Sequence, residues 1–317
     1  MTSAIDARVR LGLFPTPLHA VPDLPGLSIK RDDLSGFGLA GNKTRPLEYL
    51  IADALSVGST CVVSGGMSTS NFIGALAEAA CRHGLHCHLL VPEPVTDTVS
   101  ISVAYLVGAT VEPVAVPRDE LDHHVALRAQ ELTISGHQAY AVPRGGATPV
   151  GALGFYRAVA EITQQHDGPA TIVLPVGSGA SMAGLLAGAA CRSARLDIVG
   201  VSVSRPIHEI ERTVMELART TVQRAGGDPS DIDSVRMRLI DRHEGLSAQT
   251  THDAIRALTC RGILMDGHYG LPAWSVAEEL ARTAPEGDTS TILWHTGGVA
   301  GVPALLSEVR GDAHGGR

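Results

Sequence analysis

The chain has 317 residues and carries 33 acidic side chains against 25 lysines and arginines, a formal charge of -8 with no basic stripe, so nucleic acid is not an expected partner. That length suits about two domains of roughly 150 residues. No run reaches the ~18 apolar residues of a membrane span, and "MTSAIDARVRLGLFPTPL" lacks the apolar core of a signal peptide, so the expectation is a cytoplasmic protein without a membrane partner.

In chain order, "LAGNKTRPLEYL" (39–50) sets a Gly-Asn pair before an amphipathic helix, with Lys43 at the junction, and the helix pattern runs on to residue 58. Short β-branched runs then alternate with helical ones. "CVVSGG" (61–66) precedes "SNFIGALAEAACRHG" (70–84), and "HCHLLVPE", "TVEPVAVP" and "QAYAVP" follow as strands before the helix "GALGFYRAVAEITQQ" (151–165). "TIVLPVGSG" (171–179) feeds the helix "ASMAGLLAGAACRSA" (180–194), then come "DIVGVSV" (197–203) and "TILWHTGG" (291–298). This alternation predicts an α/β fold of open, mostly parallel sheets with helices on both faces. Ligands in such folds bind beyond the carboxyl ends of the strands, where the Gly-rich stretches fall. No repeat has a fixed period, and the tail "RGDAHGGR" (310–317) is expected to fray.

The odd set Cys61, Cys81, Cys87, Cys191 and Cys260 reads as reduced core thiols. "CRHGLHCH" has the residue types of a zinc site. Strand alternation, however, puts Cys87 on the face opposite His86 and His88, so no metal is expected.

Chemistry concentrates in "PVGSGASMAGLLAG", where Gly177, Gly179 and Gly184 surround Ser178 and Ser181 at a strand-to-helix turn. Exposed N–H groups and the positive end of the helix suit a phosphate there, although tight strand–helix packing alone would also use such glycines. The spacing is not that of a dinucleotide fingerprint, which disfavours a nicotinamide cofactor. A lysine at a helix start in a cationic setting has a lowered pKa, and a neutral amine condenses with an aldehyde; the competing reading of Lys43 is a solvated surface lysine. Lysine and phosphate cradle together suggest pyridoxal 5'-phosphate.

"FPTPL", "IKRDDLSGFGLAGNKTRPLEYLIADAL", "GGMSTSNFIGALAEAA", "PRGGATPVGALGFYRA", "GSGASMAGL", "GILMDGHYG" and "LWHTGG" resemble, in order and spacing, the pyridoxal-phosphate enzymes of the D-cysteine desulfhydrase and 1-aminocyclopropane-1-carboxylate (ACC) deaminase family, over about residues 13–305. The resemblance implies the tryptophan synthase β-like fold (type II) with two open twisted sheets. A large cofactor domain (1–45 and 156–317) and a small domain (46–155) are expected, in a homodimer acting on a small amino acid.

By the same resemblance Lys43 joins the cofactor's aldehyde and removes the substrate's α-proton. Asn71 bonds the cofactor's 3'-oxygen and Ser70 faces substrate. Gly177, Ser178, Gly179, Ala180 and Ser181 cradle the phosphate, Tyr269 lies against the ring, and the Thr296 hydroxyl meets the ring nitrogen. A neutral hydroxyl cannot hold that nitrogen protonated, which favours β-elimination over transamination. Thr296 is otherwise a turn residue before Gly297 and Gly298.

Departures bear on the substrate. Gly270 stands where ACC deaminases have a glutamate, and Leu246 where the family has a tyrosine, so ACC deaminase activity is disfavoured. His243 and Glu244 in the altered turn could supply the missing acid–base group, or be a solvated pair. Phe72 replaces the family's His or Gln at an end of the pocket expected to contact substrate, and "STSNFIGALA" also resembles the loop of cysteine synthases. The expected function is thus a lyase working by β-elimination, with β-replacement as the alternative. A non-catalytic binder on this fold is disfavoured because Lys43, Asn71 and the cradle are kept.

Overall fold

The structure, a computed structural model, describes residues 7–284, 290–303 and 305–306; the tail expected to fray lies outside them. In chain order the elements are β1 (Leu18–Ala20), β2 (Leu27–Arg31), α1 (Thr44–Ser56), β3 (Cys61–Gly65), α2 (Asn71–Arg82), β4 (His86–Pro92), α3 (Val99–Leu106), β5 (Thr110–Val114), α4 (Leu121–Ile134) and β6 (Ala139–Ala141). After these come α5 (Pro149–Gln165), β7 (Ala170–Val176), α6 (Ala180–Arg192), β8 (Leu196–Ser202), α7 (Ile207–Arg224), β9 (Met237–Asp241), α8 (Ala248–Cys260), α9 (Gly270–Thr283) and β10 (Ser290–His295).

Among the described residues the strands form two sheets, ordered β1-β2-β10-β7-β8-β9 and β5-β4-β3-β6. Every pairing is parallel except β1 with β2. Strands β3, β7, β8 and β10 are buried almost throughout, as their continuous apolar runs require when helices cover both faces. The fold is therefore the expected α/β class with two mostly parallel sheets. No helix among the described residues is long and apolar enough to cross a membrane.

Glycines set the spacing of the helices around the site. A Cβ on Gly184 would lie 2.2 Å from the Ala152 carbonyl of α5, one on Gly188 would lie 2.6 Å from the Tyr156 carbonyl, and one on Gly154 would lie 2.5 Å from the Arg45 carbonyl of α1. These contacts draw α1, α5 and α6 together. Gly184 thus serves helix packing inside α6 rather than the phosphate turn.

Two further sequence expectations change. Cys61 and Cys87 are core thiols, but Cys81 and Cys260 are exposed. Phe72, 1% exposed, points into the core, where a Cβ on Gly146 would be 3.1 Å from its ring, so it is a packing residue rather than the end of a substrate pocket. The apolar first turn of α2 needs a core contact, and Phe72 provides it.

Candidate active site

The turn that carries Lys43 is shaped by its neighbours. Ser35 donates its hydroxyl to the Gly41 carbonyl at 3.0 Å and lies 3.0 Å from the Thr44 hydroxyl. Gly41 has φ +54°, and a Cβ there would sit 2.4 Å from the Thr296 carbonyl. The Asn42 N–H donates to that same carbonyl at 2.9 Å. The start of α1 is thereby docked on the loop after β10, and only glycine permits the approach.

Gly41→Ala is expected to cost about 2 kcal/mol or more, from a left-handed alanine and a backbone clash together. Thermal unfolding checks this; an unchanged Tm would mean that the contact between residues 41 and 296 does not form in solution.

Lys43 is half-buried, and burial pulls its amine pKa down to about 8. No carboxylate offsets that desolvation, so roughly a tenth of the amine is neutral at pH 7.

Behind the turn lies a buried ionic network. Arg45, the second residue of α1, donates to Asp32 through Nε (2.7 Å) and Nη2 (2.8 Å) and to both oxygens of Glu161 at 2.9 Å. Lys30 lies 3.1 Å from Glu161, and the Trp294 indole donates to Asp32 at 2.7 Å. Burial opposes ionisation of Asp32, but the Arg45 guanidinium and the indole and hydroxyl donors hold its carboxyl below the usual range. Since Trp294 lies in β10 two residues before Thr296, this network braces the same junction from below.

The cradle forms where β7 ends. Gly179, with φ +94°, turns the chain into α6, whose N-terminus has no side-chain cap. Its first N–H groups are available for an anion. The Ser181 hydroxyl lies 3.4 Å from Asn42 Nδ2, which links the cradle to the lysine turn. A Cβ on Gly145 would lie 2.7 Å from Ser178 Oγ, and one on Gly177 would lie 3.2 Å from the Tyr269 ring. A side chain at Gly145 would collide with Ser178, and one at Gly177 would press on the Tyr269 ring. Ala180 is the buried first residue of α6.

Ser70 caps α2 by accepting the Phe72 N–H at 3.3 Å, which leaves its own O–H free to donate. Asn71, the half-buried first residue of α2, begins a helix that packs against both the Gly41–Lys43 turn and the Arg144–Gly146 turn. Lys43, Ser70, Asn71, the cradle, Tyr269 and Thr296 therefore come from separate segments and meet at one end of the sheets.

His243 and Glu244 do not join them. Both are exposed, and His243 binds Asp241 at 2.5 Å, a hydrogen bond that raises its pKa. Leu246 packs on the same apolar cluster as Tyr269. Gly270 has no room for a larger residue, because its Cβ would lie 2.7 Å from the Met265 Cβ.

Two residues absent from the sequence reading organise the site. Asp266, 7% exposed, accepts the N–H groups of His268 (3.0 Å), Tyr269 (2.6 Å) and Gly270 (3.2 Å), and a Cβ on Gly298 would meet its carboxylate at 2.4 Å. It ties the tyrosine turn to the loop after β10. An aspartate shortly before an apolar helix is a capping signal that could have marked it. His295, 1% exposed, donates from Nε2 to the Leu264 carbonyl at 2.9 Å and accepts the Gly297 N–H at Nδ1. Burial lowers its pKa, which keeps the ring in this neutral tautomer.

The donor set fits pyridoxal phosphate: a half-buried lysine of lowered pKa, an uncapped helix start lined by glycines, and an uncharged residue at position 296. Residues 9–297 match the family described as "Pyridoxal-phosphate dependent enzyme". The chain is 31% identical to a Pyrococcus abyssi protein provisionally named 1-aminocyclopropane-1-carboxylate deaminase, covering 93% of this chain and 92% of that one. It is 29% identical to the D-cysteine desulfhydrase of Salmonella paratyphi A, over 95% of each. A crystal structure of an ACC deaminase homologue superposes with a TM-score of 0.87 at 31% identity, covering 96% of this chain and 95% of that one.

Proposed function

Because this chain belongs to the family of pyridoxal-phosphate-dependent enzymes, we propose that it is a lyase that removes the α-proton of a small amino acid and expels a β-substituent, giving a 2-oxo acid and ammonia. The observation that carries this reading is the meeting of Lys43, with its amine pKa near 8, and the uncapped start of α6 beside a neutral Thr296. D-Cysteine desulfhydrase is the kind of relative whose name fits such an elimination.

In this reading Lys43 holds the cofactor's aldehyde carbon, residues Gly177 to Ser181 its phosphate, Asn71 its 3'-oxygen and Thr296 its ring nitrogen. Tyr269 covers the ring. When bound, the cofactor supplies an electron sink that lowers the cost of breaking the Cα–H bond. The residues do the rest. The Lys43 amine takes the α-proton, which its lowered pKa permits near neutral pH. Ser70, with its O–H free, anchors the substrate carboxylate beside the α2 N-terminus. Thr296 brings no negative charge to the ring nitrogen, which favours loss of a β-leaving group over transamination.

Assaying pyruvate release from D-cysteine, L-cysteine and β-chloroalanine, with and without added thiol, tests the reading. Pyruvate in every thiol condition supports elimination, whereas its replacement by a thioether product would make the protein a β-replacement synthase.

Ring opening of the cyclopropane substrate is expected to stay near background. It needs a proton delivered to one methylene and a base near another, and each missing group costs ~10²–10⁴ in rate. Gly270 and Leu246 can carry no proton, and Met265 blocks a longer residue at 270. The measurement is 2-oxobutyrate from ACC beside pyruvate from β-chloroalanine. Robust 2-oxobutyrate would overturn this expectation.

A further inference from the structure

Asp266 is a buried carboxylate that forms no ion pair among the described residues, and burial pushes its pKa up against the pull of the N–H groups it accepts. The basic group it feels is His268, whose own pKa is lowered by burial. Such a carboxylate is costly to keep. Its bonds show what the charge does: Oδ1 accepts the His268 and Tyr269 N–H groups at 3.0 and 2.6 Å, while Oδ2 accepts the Gly270 N–H at 3.2 Å. Oδ2 also lies against Gly298, where a Cβ would be 2.4 Å away and φ is +78°, so that only glycine fits there. Both oxygens are occupied. An asparagine of the same shape has one acceptor oxygen and would turn an NH2 group toward an N–H that needs an acceptor.

These bonds join two segments with different tasks. Residues 264–270 carry Tyr269, whose ring lies against the cradle, since a Cβ on Gly177 would be 3.2 Å from its Cε1. The loop after β10 carries Thr296, whose carbonyl takes the Asn42 N–H of the lysine turn at 2.9 Å. His295 donates to the Leu264 carbonyl at 2.9 Å, and the Asp266 carboxylate seats on Gly298, so the segments are pinned together at both ends. Asp266 is the pin beside the tyrosine, because it binds the Tyr269 N–H directly.

We propose that Asp266 is a positioning residue that acts through Tyr269: its carboxylate, with both oxygens occupied, fixes the tyrosine turn against the loop after β10 and so sets where the ring stands relative to the cradle and the lysine turn. The kinetic part of this proposal rests on the lyase reading above. A carboxylate at the start of α9 also suits the helix dipole, and a cap alone would stabilise α9 without touching catalysis. The two roles differ in what a variant changes.

Hydrogen exchange on the cofactor-free parent comes first, since it needs neither variant nor substrate. The amides of residues 268–270 are expected to exchange slowly, and Asp266→Asn is expected to speed them together with those of residues 297–301. In the holoenzyme with β-chloroalanine, Asp266→Asn is expected to lower kcat about 10- to 100-fold while cofactor absorbance is retained, since a displaced ring misplaces the substrate. In a Tyr269→Ala background the same change is expected to cost less than about threefold, because the group it acts through is gone. Gly298→Ala pushes on the carboxylate from the other side and is expected to reproduce the loss where Asp266→Asn does not fold. Fast exchange at residues 268–270 in the parent would overturn the proposal, as would a lowered Tm with kcat unchanged, which is the signature of a cap. Equal losses in the parent and Tyr269→Ala backgrounds would overturn it too, since Asp266 would then act elsewhere. A parent that does not turn over β-chloroalanine would remove the lyase reading, while the exchange rates would still decide whether this carboxylate holds the turn.

Discussion

Lys43→Ala is expected to lower turnover at least ~10³-fold while the fold stays intact, since in the proposed reading it removes both the cofactor's attachment and the α-proton's acceptor at once. The side chain forms no ion pair among the described residues and only desolvation shifts its amine, so its removal relieves a half-buried charge instead of orphaning a partner. Unfolding curves of the cofactor-free variant should match those of the parent. Borohydride treatment of the loaded parent should fix the cofactor on Lys43 in a peptide map. An adduct on Lys30 would end the assignment; that amine is already bonded to the Thr16 carbonyl, Gln165 and Glu161.

The pH dependence of loading follows from the same lysine. Only the neutral amine attacks an aldehyde, so the attachment rate should rise about tenfold per pH unit below 8 and level off above it. A plateau beginning only near pH 10 would show that burial does not depress this amine.

Arg45→Ala should be among the most destabilising single changes, at about 3–5 kcal/mol, because it leaves buried Asp32 and Glu161 short of a cation. Urea unfolding of the cofactor-free protein separates this from ligand effects. The size should depend on pH. Asp32 has its carboxyl held below the usual range, so its contribution is present above the unfolded pKa, ~3.9, and fades as pH falls through the folded value. The difference between parent and variant should therefore shrink in acid. A loss that is the same at pH 3 and pH 7 would mean the network is not ionised as drawn. Arg45→Met, similar in volume but uncharged, keeps the packing against Phe14 and isolates the electrostatic part.

How much of this could be read from residues alone varied with the range of each interaction. Strands β3, β7, β8 and β10 were legible because burial on both faces writes a local apolar run. Strands β1, β2 and β9 were not: β1 and β9 are edge strands with half-exposed residues, and β2 carries Lys30 and Arg31, charges that look foreign to a strand until Glu161 and Asp33 are placed opposite them. The site divides the same way. Lys43 and the glycines of the cradle announce themselves in short motifs, whereas Asp32 and Trp294 meet across 262 residues and leave no spacing to detect. Phe72 misled because a helix position after a motif asparagine says nothing about which way the helix is rotated, and the core decides that.

The place of β10 between β2 and β7 has a consequence for biosynthesis. The lysine turn is made by the ribosome before the cradle, yet both are braced against Thr296, Gly297 and Trp294, which are translated after them. A nascent chain halted before residue 290 carries the lysine turn and the β7–α6 turn without the strand that lies between β2 and β7. In the proposed reading, cofactor capture then waits for β10, and the cofactor seals an aligned site rather than serving as a template for an emerging one.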